Sequence, residues 1–359
     1  MLAFYGQQLL EKRAGKDAMH FNIDQDSGTL ISGWLVPDNP SAIPTVRISV
    51  EGRSDVTLSA NVTRLDLKKL GQHSTGQVGF AINASVVPGL ESLPEVEIRE
   101  LTTDLLIHRR SKGLNRRLFL MTLGLWRSPF PLEKQIRTHF SLYYLEVDRH
   151  PYDTLFAVLN NQKALSIFAA GQPSLTRYED LLRGQDFTVA ALIRSPFEGL
   201  ADRLLAAQRG QRTDDWPPPL AERLRETDLF EAPAVSALLE TVTRYTDAFS
   251  NPYVRTLACR PEEEPARHHI AVALNNLAGF DLVGLSSRFG TFQGILSDML
   301  RVDTLVGWGL DNGGDVTRLA TCLAELPVAR TLLNLDLALH DHVGRAIAST
   351  EASMGKDEC

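Results

Sequence analysis

The run Phe187-Thr-Val-Ala-Ala-Leu-Ile193, followed at once by Arg194-Ser195-Pro196, constrains this chain more than any other stretch. It is short and apolar without alternation, it contains β-branched residues, and Gly184-Gln185-Asp186 bounds it on the other side. That pattern predicts a strand buried on both faces, as in a parallel sheet. Pro196 cannot continue a central strand but suits the first turn of a helix. Leu200, Leu204 and Ala207 then recur near helical spacing. The stretch therefore predicts strand, tight turn and helix, with Arg194 at the strand's carboxyl end. In an open α/β sheet ligands bind at that end. A guanidinium suits a phosphate there, because its planar fork donates two hydrogen bonds at once. Arg194 also has a structural reading, as a helix-capping arginine or the partner of Glu198.

The chain has 359 residues, enough for two domains. A net charge of −7 argues against a general nucleic-acid binder. Met1 to Phe21 interleaves Glu11, Lys12, Arg13, Lys16 and Asp17 with its apolar residues, so no export signal is expected. The longest apolar run, Leu118 to Trp126, is too short to span a bilayer. Cys259, Cys322 and Cys359 form no CxxC pair, so neither a zinc ribbon nor a disulfide scaffold is expected. These features together predict a cytoplasmic protein.

Residues 1–27 read as a short helix and a polar lead-in. From Thr29 to about Ile107 the apolar period changes to two. Strands are expected at Leu30–Val36, Thr45–Val50, Val56–Val62, Gly76–Ala84 and Val96–Glu100, with Pro37-Asp38-Asn39-Pro40 and Glu51-Gly52 as turns. Short strands so closely spaced predict a small all-β sandwich over residues 28–110. Gly33-Trp34-Leu35-Val36-Pro37-Asp38, Arg64-Leu65-Asp66-Leu67 and Gly79-Phe80, in that order, resemble the small β-sandwich modules attached to bacterial glycan-modifying enzymes. The resemblance implies a carbohydrate context; the plain alternative is a packing or spacer domain. His108 to Arg117, HRRSKGLNRR, then reads as a basic linker, a solvated hinge or a contact for polyanions. It marks a domain boundary near residue 112.

The second domain, 111–347, opens with a candidate strand at Leu118–Met121. A loop over Thr122–Pro131 and a helix over Leu132–Phe140 follow. Arg212–Pro219, with three prolines in a row, reads as a loop or lid. Helical spacing covers Ala221–Ala248 and Ala271–Leu277, a short strand is expected at Phe280–Leu285, and most of the rest is helical. Residues 348–359 read as a disordered polar tail.

Generic catalytic motifs are absent: no GxxxxGK[ST], GxSxG, HExxH or GxGxxG occurs. His268 and His269 are adjacent and His340 and His342 are two apart, spacings that separate side chains on a helix, so no metal site is expected. The order of several segments is more informative. Leu118-Phe119-Leu120, Ile167-Phe168-Ala-Ala-Gly171-Gln172 and Val189 to Glu198 come first. Asn251-Pro252-Tyr-Val-Arg255-Thr-Leu257-Ala258, Leu277 to Phe289 and Leu335-Asp336-Leu-Ala-Leu339-His-Asp341 complete the series. It resembles the carbohydrate sulfotransferases of the heparan 2-O-sulfotransferase type.

That resemblance implies an α/β fold: a P-loop-like domain with a parallel sheet and a helical carboxy-terminal part. Its donor is 3′-phosphoadenosine 5′-phosphosulfate, and the sulfuryl group moves in line to a sugar hydroxyl that a base deprotonates. A lysine in a strand–loop–helix cradles the 5′-phosphosulfate, and an arginine and a serine after a later strand hold the 3′-phosphate. Such chemistry needs cations and N–H groups around developing negative charge. Carried over, Arg194, with Ser195 beside it, falls on the 3′-phosphate arginine, while Asp202 falls where the family has its partner serine. An anion there repels a phosphate unless it is turned away or paired. Gly199 falls on a usual arginine, and the PKTGGTS-like lysine loop is missing. Arg127 and Ser128 occupy its region without a glycine-rich cradle. Ala170 and Gln172 replace the histidines that often flank the glycine, and neither is a general base. His139 and His150 are the remaining candidates for a base, and Arg255 and Arg288 are candidate substrate-binding cations. The expected function is a sulfotransferase acting on a glycan or polysaccharide acceptor. The alternative is a degenerate, non-catalytic fold used as a glycan-binding or assembly module.

Overall fold

The structure is a computed structural model that describes residues 18–126, 130–211, 216–245, 249–302 and 313–357. The first eight strands are β1 (His20–Asp26), β2 (Ile31–Val36), β3 (Thr45–Ser49), β4 (Val56–Ser59), β5 (Val62–Thr63), β6 (Gln77–Ile82), β7 (Val96–Glu100) and β8 (Leu106–Arg110), with a short helix α1 (Leu65–Lys69) before β6. They form two antiparallel sheets, ordered β1-β2-β6-β5 and β4-β3-β7-β8. Alternation explains the packing. Val46 and Ile48 of β3 and Val96 and Ile98 of β7 are buried, and so are Phe21, Ile31, Phe80 and Ile82 of the other sheet. The sandwich expected from the period-two pattern is therefore present.

Four details differ from the sequence reading. β1 lies within the stretch read as a lead-in, and it pairs with β2 from His20 to Asp26. Its residues alternate, but over few positions. The third expected strand is two, β4 and β5, broken at Ala60-Asn61. The basic run is not a hinge: β8 continues through His108, Arg109 and Arg110. Arg109 is buried and donates to the carbonyls of Arg137 (2.7 Å) and Phe140 (3.2 Å), and it pairs with Glu95 at 3.2 Å. His108 and Arg110 both hold Asp26, each at 2.9 Å from Oδ2. Internal carboxylates and carbonyls absorb these cations, which a count of charges cannot reveal. The fourth difference is at the far end, where the last helix runs to Asp357 in place of a disordered tail from 348.

Beyond the sandwich lie β9 (Arg117–Leu123), β10 (Leu142–Tyr144), β11 (Ile167–Gly171), β12 (Thr188–Ile193) and β13 (Leu282–Leu285). All four pairings are parallel, in the order β10-β11-β9-β12-β13. β12 is buried at every position from Val189 to Ile193, as its unbroken apolar run requires. The helices, in chain order, are α2 (Phe130–His139), α3 (Tyr152–Leu159), α4 (Glu179–Gly184), α5 (Pro196–Gln208), α6 (Pro218–Glu226), α7 (Ala232–Tyr245), α8 (Pro252–Ala258), α9 (His268–Ala278), α10 (Phe289–Leu300), α11 (Gly314–Glu325), α12 (Pro327–Leu332) and α13 (Asn334–Asp357). A second core joins α5, α6, α7 and α11 through Leu204, Leu224, Leu238 and Leu319. Of the expected lid at 212–219, residues 212–215 lie outside the described residues, Trp216 is buried, and Pro218 opens α6. Among the described residues no helix is long and apolar enough to cross a membrane.

The sandwich is not a loosely tethered spacer. One apolar core contains Ile98, Leu106 and Ile107 of the sandwich together with Leu118, Phe140 and Tyr144 of the second unit. Hydrogen bonds close its edge. The Tyr144 hydroxyl donates to the Leu106 carbonyl (2.9 Å), Arg99 donates to the Tyr143 hydroxyl (2.9 Å), and the Met19 N–H donates to the Thr154 hydroxyl (2.9 Å). Ile107→Ala, at a fully buried position, is expected to cost about 2–5 kcal/mol. In urea unfolding followed by both tryptophan fluorescence and far-ultraviolet dichroism, a single transition should move to lower denaturant. Two separate transitions, of which only one moves, would contradict a common core.

Candidate functional site

β9 lies between β11 and β12, and Leu123 of β9 is level with Ile193 of β12, so their carboxyl ends open side by side. After Leu123 the chain turns through Gly124, whose φ of 80° suits glycine. After Ile193 it passes Arg194 and Ser195 into α5, with Pro196 at the first helical position. The Arg194 N–H donates to the Leu123 carbonyl at 3.0 Å, tying the two exits together. The strand, turn and helix predicted around Arg194 are thus present.

Arg194 is 2% exposed. Its Nε lies 3.5 Å from Glu198 Oε2 and its Nη1 lies 3.5 Å from Asp202 Oδ2. Asp202 is itself 1% exposed and accepts the Trp126 N–H at 3.0 Å. A buried guanidinium requires compensation, and two carboxylates from successive turns of α5 supply it. Arg203 is buried next door, its guanidinium 3.6 Å from the Phe249 ring centroid and 4.4 Å from that of Trp126. Trp126, Gly199, Arg203, Phe249, Tyr253 and Leu333 line a cavity of about 10 Å³. That is room for roughly one water molecule.

Tyr253 closes the remaining space. A Cβ on Gly124 would stand 2.0 Å from its hydroxyl oxygen, and one on Gly199 would stand 2.2 Å away. Among the described residues this buried hydroxyl has no hydrogen-bond partner. Burial, followed by the nearby Asp336, pushes the phenol well above its ordinary pKa. The backbone of Tyr253 is anchored from behind. Asp336, fully buried, accepts the N–H groups of Tyr253 (3.0 Å) and Val254 (2.9 Å). Asn251, in a left-handed conformation, accepts those of Leu335 (2.8 Å) and Asp336 (3.3 Å) in return. Burial raises Asp336 from 3.8 to about 7, against the two N–H groups and Arg255, which favour its charge.

The remaining expected site residues are scattered. Arg127 and Ser128 lie outside the described residues. Ser195 stands at the N-cap of α5, its carbonyl accepting the Gly199 N–H at 2.9 Å. His139 ends α2, and its carbonyl accepts the Leu114 N–H, just upstream of β9. It is therefore at the amino end of the sheet, opposite Arg194, and does not serve as the base of this site. A returning helix makes that inevitable once β9 and β10 are parallel. His150 follows β10 at the carboxyl side, but β11 and β9 separate that strand from β12. Gln172 does structural work: it accepts the Gly124 N–H at 3.3 Å and donates to the Leu125 carbonyl at 3.2 Å. Arg255, on α8, donates to the Glu263 carbonyl at 3.2 Å. Arg288 is exposed just after β13.

His268 and His269 do not diverge as their adjacency predicts. At the start of α9 their ring centroids are 3.9 Å apart, and Glu263 joins them. His269 Nδ1 accepts the Ala266 N–H at 2.9 Å, so the neutral ring carries its proton on Nε2, 3.1 Å from Glu263 Oε1. Both ring nitrogens are thereby engaged, and the cluster reads as a loop-to-helix brace.

A scan against protein-family models finds no match, and a search of curated proteins finds none either.

Two outcomes follow from this geometry. Asp202→Ala leaves the buried Arg194 short of a carboxylate, and equilibrium unfolding should show a loss of about 3–5 kcal/mol. Asp202→Asn, which still accepts the Trp126 N–H, should lose less. The second concerns pH. With its pKa raised, Asp336 in the folded chain holds a proton that the unfolded chain has released. Its contribution is complete below 3.8 and is lost as pH rises through about 7. In Asp336→Asn, stability measured against pH should slope less over that window than in the wild type.

Proposed function

We propose that the unit carrying β9–β13 is a sulfotransferase-type, P-loop-like fold of bacterial polysaccharide metabolism that has given up donor chemistry and works as a glycan-binding or assembly module. One observation carries this reading: Arg194, the candidate 3′-phosphate ligand, is buried against Glu198 and Asp202 of the helix that follows it. Its guanidinium already faces two carboxylates, so a phosphate dianion would have to displace them to pair with it. The other working parts point the same way. No lysine lies in the loop after β9, Gln172 braces that loop, and Ala170 has no titratable group.

The strand order favours a second reading, sulfuryl transfer from 3′-phosphoadenosine 5′-phosphosulfate to a sugar hydroxyl. It puts the exit of the central strand, at Leu123 and Gly124, beside the Arg194 turn. The in-line transfer would then take place between these two exits. In that reading Asp202 must leave Arg194 when the donor enters, and Arg255 and Arg288 would face the acceptor.

Thermal melting with adenosine 3′,5′-bisphosphate separates the two. The non-catalytic reading expects no change in Tm at millimolar ligand. A functional donor site would stabilise the chain by roughly 2.7 kcal/mol at about 100 times its Kd, and the effect would vanish in Arg194→Ala. That second result would overturn the reading adopted here.

A further inference from the structure

We draw no further inference here: the strongest candidate, the Glu263, His268 and His269 cluster at the start of α9, carries nothing, because His269 Nδ1 accepts the Ala266 N–H and its Nε2 proton faces Glu263, which leaves that ring no lone pair for a metal ion.

Discussion

The pairing of Arg194 with Asp202 is the interaction on which this site depends. A guanidinium at the carboxyl end of a buried strand must find negative charge, and it can come from a ligand or from the chain itself. Here the chain supplies it. Asp202 sits two helical turns beyond Arg194 and faces it from within α5, while Glu198 does the same one turn earlier. Asp202 also accepts the Trp126 N–H, so the pair ties the exit of β12 to that of β9. With the charge compensated and the loop held, Arg203 can lie against Trp126 and Phe249, and Tyr253 can fill what space is left.

A second carboxylate works at the other side of the same region. Asp336 opens α13 and receives the first N–H groups of α8, and Asn251 returns the favour. This reciprocal clamp sets the depth of Tyr253. A fully buried carboxyl is expensive in its charged form, and the two N–H groups only partly offset that cost. The helices after β12 are therefore not a passive shell: α8 reaches back to the sheet's carboxyl end, where Tyr253 meets Gly124 and Gly199. The sandwich is equally integral, since Ile98 and Ile107 share a core with Phe140 and Tyr144.

Much of the frame could be read from the residues. The β12–α5 unit was clear because its signals are local: an unbroken apolar run, a proline at the first helical position, then helical spacing. The period-two strands of the sandwich were equally plain. Asp202 was recognisable as an anion out of place beside Arg194, though not as its partner, because a sequence does not show which way a side chain turns. What was missed depends on distance along the chain. Nothing local to Tyr253 links it to Gly124, and nothing local to Asp336 links it to the start of α8. β10 has three residues, too few for a period. The basic run at 108–110 looked solvated because its partners, Asp26 and the carbonyls of Arg137 and Phe140, are remote in sequence. His268 and His269 converge because they begin a helix and a preceding loop folds Glu263 onto them. Gly124 and Gly199 were the available clue, two glycines with no turn to make together, and their meaning appears only once the phenol is seen between them.

A crystal structure grown from concentrated sulfate tests the central claim most directly, because it offers the candidate anion site a small oxyanion in excess. The account predicts Arg194 on Glu198 and Asp202, the Tyr253 hydroxyl between Gly124 and Gly199, and no sulfate within reach of the Arg194 guanidinium. A sulfate bound to Arg194, with Asp202 turned away and Tyr253 displaced, would contradict it.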